Sequence, residues 1–115
     1  MIIETKVDES ILVVRLEGEL DHHTVEGLRA DLEAQLQDAD CNGLVMSFRN
    51  IAFMDSSGLG LILGRYRTVT ERGGRMALCE VNDTLARLFE MSGLFKIMPL
   101  FTSEDAAITF LKEVL

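Results

Sequence analysis

The chain has 115 residues, 48% of them hydrophobic, which is enough for one domain that buries a core without metal ions or disulfides. Eleven basic against nineteen acidic residues give a formal net charge of −8, which disfavours binding to nucleic acids and to anionic membranes. No apolar segment is long enough to span a bilayer, and no secretion leader opens the chain, so we expect a cytoplasmic protein. Cys41 and Cys79 match no CxxC spacing, so we expect both to be free thiols.

Two β-rich segments come first in the chain. IIETKV and ILVVRLEGEL are separated by the turn signal DES, and together they predict an antiparallel hairpin. Residues 21–36 then predict a helix capped by Asp21, because their apolar residues are spaced by three and four: Val25, Leu28, Leu32 and Leu36. GLVMSF is typical of a short strand that is buried on both faces of a sheet.

The second half of the chain alternates in the same way. A helix is predicted from about Ser57 to Arg72, where two glycines follow, and RMALCEV predicts another strand. NDTLARLFEMSG predicts a third helix, and a capping pair within residues 102–105 predicts a fourth. Alternating strands and helices imply right-handed crossovers, so we predict one α/β domain with a mostly parallel sheet and an N-terminal antiparallel hairpin.

The stretch MDSSGLG, residues 54–60, joins the GLVMSF strand region to the second helix. A serine at such a junction is most often the helix cap, so we expect Ser56 or Ser57 to cap this helix. A serine nucleophile is disfavoured, because the GxSxG pattern is missing. The two histidines of the chain, His22 and His23, are also adjacent, and on a helix their side chains diverge by about 100°.

Two other interpretations of this stretch remain open on the residues alone. Gly58, Gly60 and Gly64 approach the dinucleotide-binding pattern, with Glu80 as the acid of the next strand, but the third glycine is one residue late. Alternatively, a serine hydroxyl at a helix N-terminus is well placed to be phosphorylated without loss of the fold. No cofactor or metal is expected, since only Glu26 accompanies the histidines as a further ligand type.

The periodicity of the second helix predicts which side faces the core. The predicted buried side consists of Leu59, Ile62, Leu63, Tyr66 and Val69. The opposite side then carries Ser57, Gly60, Leu61, Gly64 and Thr68. Leu61 is interpreted either as an ordinary exposed leucine or as part of a docking strip for another protein.

Three blocks of the sequence resemble anti-sigma factor antagonists of the STAS family: GELDHHT at 18–24, AFMDSSGLGLILGRY at 52–66 and RLFEMSGLFKI at 87–97. The resemblance implies a regulator without catalytic activity of its own, whose strands follow in roughly sequential order as a βα superhelix. Unphosphorylated, such a protein binds an anti-sigma factor and releases a sigma factor. The anti-sigma factor is also an ATP-dependent serine kinase that inactivates the antagonist, and a PP2C-type phosphatase reverses the modification.

The resemblance also assigns roles to residues. The phosphorylated serine of the family directly follows the aspartate, which makes it Ser56 here, and the loop that holds Asp21 contacts the partner. We expect the partner-binding surface to comprise Asp21, Asp55, Ser57, Gly58, Gly60, Leu61 and Gly64. The alternatives are a STAS module of another stress-signalling, partner-switching complex, and a nucleotide-binding domain.

Overall fold

Strands and helices alternate along the chain as the sequence predicts. The computed structural model describes residues 1–115, the side chain of Ile3 excepted. The strands are β1 (Ile2–Asp8), β2 (Ile11–Leu20), β3 (Gly43–Met54), β4 (Arg75–Cys79) and β5 (Leu100–Phe101). The helices are α1 (Val25–Ala39), α2 (Ser56–Glu71), α3 (Asp83–Ser92) and α4 (Glu104–Val114), and a short 3-10 helix covers Leu94–Lys96.

The five strands form one sheet in the order β1-β2-β3-β4-β5. β1 pairs with β2 antiparallel, and the remaining pairs are parallel. This sequential order confirms the predicted mixed sheet with an N-terminal hairpin and its winding as a βα superhelix. The two-residue strand β5 was not predicted, because a strand of that length leaves no periodic signal in the sequence.

Helices cover both faces of the sheet. The larger apolar cluster packs α1, α2 and α3 against one face, and the smaller cluster joins α4 to the other. Burial on both faces explains why the first residues of β3 form an uninterrupted apolar run. The stripe predicted for α1 is confirmed, since Val25, Leu28, Leu32 and Leu36 are all buried.

The start of α1 differs from the prediction. The helix begins at Val25, with Thr24 in the N-cap position, and Asp21 lies in the preceding turn. The Asp21 carboxylate still accepts hydrogen bonds from the backbone N–H groups of His23 (2.9 Å) and Thr24 (3.0 Å). Asp21 therefore caps the turn that leads into α1 rather than the helix itself.

The predicted buried side of α2 is partly wrong. Leu61 is fully buried, whereas Leu63 is 43% exposed. Gly58 sets this orientation, because it packs so closely on Leu20 and Met54 that a Cβ atom at this position would collide with the Met54 side chain. The residues three, four, seven and eleven positions after Gly58 therefore face the sheet, namely Leu61, Ile62, Arg65 and Val69.

Both cysteine side chains lie in the interior of the protein. Cys41 and Cys79 are both free, as expected, and both are buried. Burial raises the pKa of the Cys79 thiol to about 12, which keeps that thiol protonated at neutral pH.

None of the described helices has the length and apolar character needed to cross a membrane.

Candidate functional site

Asp55 caps α2 at the junction after β3. Its backbone is extended, and its carboxylate accepts a hydrogen bond of 2.8 Å from the backbone N–H of Ser57. The prediction that Ser56 or Ser57 would cap this helix is therefore wrong. The aspartate precedes both serines, so it satisfies the free N–H group from outside the helix, where a cap residue normally sits.

The side chain of Ser56 is exposed and forms no hydrogen bond within the described part of the chain. Ser56 is the first residue of α2, and its side chain is exposed. Its hydroxyl makes no hydrogen bond with any described residue, and no hydrogen bond joins a described histidine to either serine. Such a hydroxyl is open to a reagent that brings its own base.

The Asp21 loop lies directly beside this turn. The backbone N–H of Asp55 donates to the carbonyl of Leu20 at 3.1 Å, which joins the end of β3 to the end of β2. The hydrogen bonds from the Thr24 and His23 backbone hold the pKa of the Asp21 carboxyl below its ordinary value, with the Thr24 bond the larger cause. Two half-buried acidic residues, Asp21 and Asp55, thus follow the ends of neighbouring strands, and Asp55 directly precedes the exposed serine.

One exposed stripe runs along α2 from Ser56. Successive residues of a helix are rotated by about 100°, so positions four, seven and eleven after Ser56 point the same way. These positions hold Gly60, Leu63 and Arg67, and all three are exposed. A Cβ atom on Gly60 would meet nothing within 4 Å, so the backbone there is open to a partner.

A groove separates the start of α2 from α1. It has a volume of about 290 Å³ and is lined by His22, Val25, Glu26, Arg29, Ser57 and Gly60. Arg29 donates to the Glu26 carboxylate at 3.0 Å, and both side chains are largely exposed. Ser57 therefore faces α1, on a different side of α2 from Ser56.

The structure brings together some of the predicted site residues and separates others. Asp21, Asp55, Ser57 and Gly60 lie with Ser56 at the carboxyl ends of β2 and β3 and in the first turns of α2. Gly58 and Leu61 are buried, so their predicted place on the surface is wrong, and Gly64 is half-buried. Leu63 was predicted to face the core, although its spacing of seven residues from Ser56 was a usable signal for the exposed side.

Glu80 does not join the glycine turn. Its carboxylate accepts a hydrogen bond of 3.1 Å from the Ser47 hydroxyl, and it lines a separate cavity with Arg15 and Glu104. A dinucleotide site would need this acid and the glycines to face one ligand. The described His, Cys, Asp and Glu side chains form no group of three that could hold a metal ion.

Comparison with known proteins decides the family. A model of the STAS domain matches residues 3–107 of the chain. The chain belongs to the STAS family. An anti-sigma F factor antagonist of Paenibacillus polymyxa is 49% identical to this STAS chain over 112 residues, which cover 97% of the chain and 96% of that relative.

Two solved structures are similar to this STAS chain. The anti-sigma factor antagonist SpoIIAA in its unphosphorylated form superimposes with a TM-score of 0.81 at 34% identity, with 97% of each chain covered. The Bacillus cell fate determinant SpoIIAA in the phosphorylated form gives a TM-score of 0.71 at 36% identity, covering 92% of this chain and 96% of that one. The predicted family and fold are thus confirmed.

Proposed function

We propose that this STAS chain is a cytoplasmic anti-sigma factor antagonist that is switched off by phosphorylation of Ser56. The observation that supports this most directly is the exposed Ser56 hydroxyl at the first residue of α2, left free because Asp55 caps the helix. The similarity to anti-sigma F factor antagonists, and to SpoIIAA in both phosphorylation states, supports the same function.

The chemistry of the switch comes from the partners. No described side chain forms a hydrogen bond with the Ser56 hydroxyl, so the anti-sigma factor, acting as a kinase, supplies an aspartate base together with Mg²⁺ and ATP. The new phosphate sits at a helix N-terminus, which stabilises it by about 0.3–1 kcal/mol and offsets its repulsion from Asp55. The fold therefore persists in both states, and a PP2C-type phosphatase reverses the modification.

The partner surface combines the Asp21 loop with the exposed stripe of α2. Leu63 takes the role that the sequence analysis gave to Leu61, since it is the exposed leucine beside the serine. Gly60 lets the partner backbone approach the helix between Ser56 and Leu63. An interface fitted to a hydroxyl must desolvate a phosphoserine with about −1.5 to −2 charges, so the modified protein dissociates from its partner.

Calorimetric measurement of binding to the anti-sigma F factor from the same organism tests this function. We expect the wild type and Ser56→Ala to bind, and Ser56→Asp to fold with an unchanged melting temperature but to bind more weakly by about tenfold or more. Thr70→Asp is the matched control, because it adds the same charge at an exposed position near the other end of α2. Equal affinity of Ser56→Asp and the wild type, or no binding by the wild type, would refute the proposal.

A further inference from the structure

Arg65 is a charged residue on the core-facing side of α2. It is only 4% exposed, and it shares this side with Leu61, Ile62 and Val69. Its Nη2 donates to the Glu33 carboxylate of α1 at 2.9 Å, and the Glu33 side chain is half exposed. Nε and Nη1 of Arg65 are buried and have no hydrogen-bond partner among the described residues.

This arrangement disfavours the folded state compared with an apolar residue of similar volume. Burial lowers the pKa of the Arg65 guanidinium, and the nearby Arg29 acts in the same direction, whereas Glu33 opposes them. A buried charge with one hydrogen bond and two unpaired donors costs more than it returns. The stability of the core therefore does not explain why an arginine occupies this position.

The ion pair adds a polar link between α1 and α2. The apolar stripes of both helices belong to the same cluster on one face of the sheet, and two arginines add hydrogen bonds between the helices. Arg72 links the far ends of the two helices, through hydrogen bonds to the carbonyls of Leu36 and Cys41. Arg65 and Glu33 form the link in the middle, the one nearest to the groove beside Ser57.

The location of this link connects it to the partner surface. Gly60, which lines the groove, lies five residues before Arg65, or about 7.5 Å along the helix axis. Arg29, on the other wall of the groove, lies one turn before Glu33. Asp21 leads into α1 and Ser56 begins α2, so a partner that contacts both depends on the separation of these helices.

We propose that Arg65 is a positioning residue, which through Glu33 fixes the separation of α1 and α2 and thereby the surface on which the anti-sigma factor docks. The inference rests on the proposed function for the identity of the partner. A neutral side chain of similar length fills the same space but lets α1 move relative to α2. Such a change weakens docking without unfolding the protein.

Substitution of Arg65 by methionine tests the proposal through stability and binding together. We expect Arg65→Met to melt at the wild-type temperature or above it, and to bind the anti-sigma F factor about fivefold or more weakly. Arg65 contacts Glu33 through one N–H donor, which Arg65→Lys replaces with an ammonium group, so this variant should bind within about twofold of the wild type. Arg75→Met, at an exposed position at the start of β4, is the control for the change of residue type.

A second measurement does not need the partner. Amide hydrogen exchange of the free protein should be faster in Arg65→Met than in the wild type at both walls of the groove, residues 24–29 and 57–60, at equal global stability. Unchanged exchange there, or wild-type affinity of Arg65→Met, would overturn the inference. A loss of affinity explained fully by a lower folded fraction would overturn it too. Failure of the wild type to bind would instead refute the proposed function and leave the exchange result to decide on Arg65.

Discussion

Asp55 and Ser56, at the start of α2, differ in what their side chains contribute. Asp55 stabilises the helix, because its carboxylate takes the N–H group of Ser57. Ser56 contributes an exposed hydroxyl that no described group engages. Because Asp55 is the cap, the side chain of Ser56 can change without loss of the cap hydrogen bond. Asp55 provides that independence.

This division of tasks predicts unequal effects of truncation. Asp55→Ala should lower the free energy of unfolding by about 1 kcal/mol, because the N–H group of Ser57 loses its acceptor. Ser56→Ala should change it by less than about 0.5 kcal/mol, as is usual for exposed side chains. Urea denaturation of both variants measures the difference. An equal loss of stability in the two variants would show that the Ser56 hydroxyl also caps α2.

The orientation of helix α2 determines that Leu63, and not Leu61, is exposed to a partner protein. Leu61→Ala should cost about 2–5 kcal/mol of unfolding free energy as a truncation in the core. Leu63→Ala should stay within about 0.5 kcal/mol of the wild type, yet weaken binding to the anti-sigma factor. Thermal unfolding and calorimetry with the partner provide both values. A large loss of stability in Leu63→Ala would contradict the observed orientation.

The contrast between α1 and α2 shows why one helix face was predictable and the other was not. In α1 the buried residues are all apolar, so their spacing alone identifies the buried face. In α2 a glycine and an arginine lie on the buried face, and a pattern of apolar residues assigns both to the surface. The orientation depends on the tight packing of Gly58 on Met54, which exists only once β3 and α2 are assembled.

The functional site was predictable in part for similar reasons. The spacing of the residues left phosphorylation as one alternative for the MDSSGLG stretch, and the family resemblance singled out Ser56. The cap at Asp55 was missed because the two serines that follow are equally good cap residues in isolation. Arg65 was missed because a charged residue in a helix is normally exposed.

The net negative charge of the protein comes from the N-terminal part of the fold. Residues 1–40 hold eleven acidic and three basic side chains, whereas residues 41–115 hold eight of each. The first group forms β1, β2 and α1, at one edge of the sheet, and accounts for the whole net charge of −8. Ser56 begins α2 next to the end of β2, so a phosphate there extends the acidic side towards the partner surface.

Ser56 is the residue that we propose receives the phosphate, and mass spectrometry of one peptide identifies the modified side chain. The protein is incubated with the anti-sigma F factor and Mg-ATP and digested with trypsin, which cuts after Arg49 and Arg65. Peptide 50–65 contains Ser56 and Ser57 as its hydroxyl-bearing side chains. We predict one phosphate on Ser56 in the wild type and in Ser57→Ala, and none in Ser56→Ala. A phosphate on Ser57 or on another peptide, or labelling of Ser56→Ala at the wild-type rate, would refute the assignment of the phosphate to Ser56.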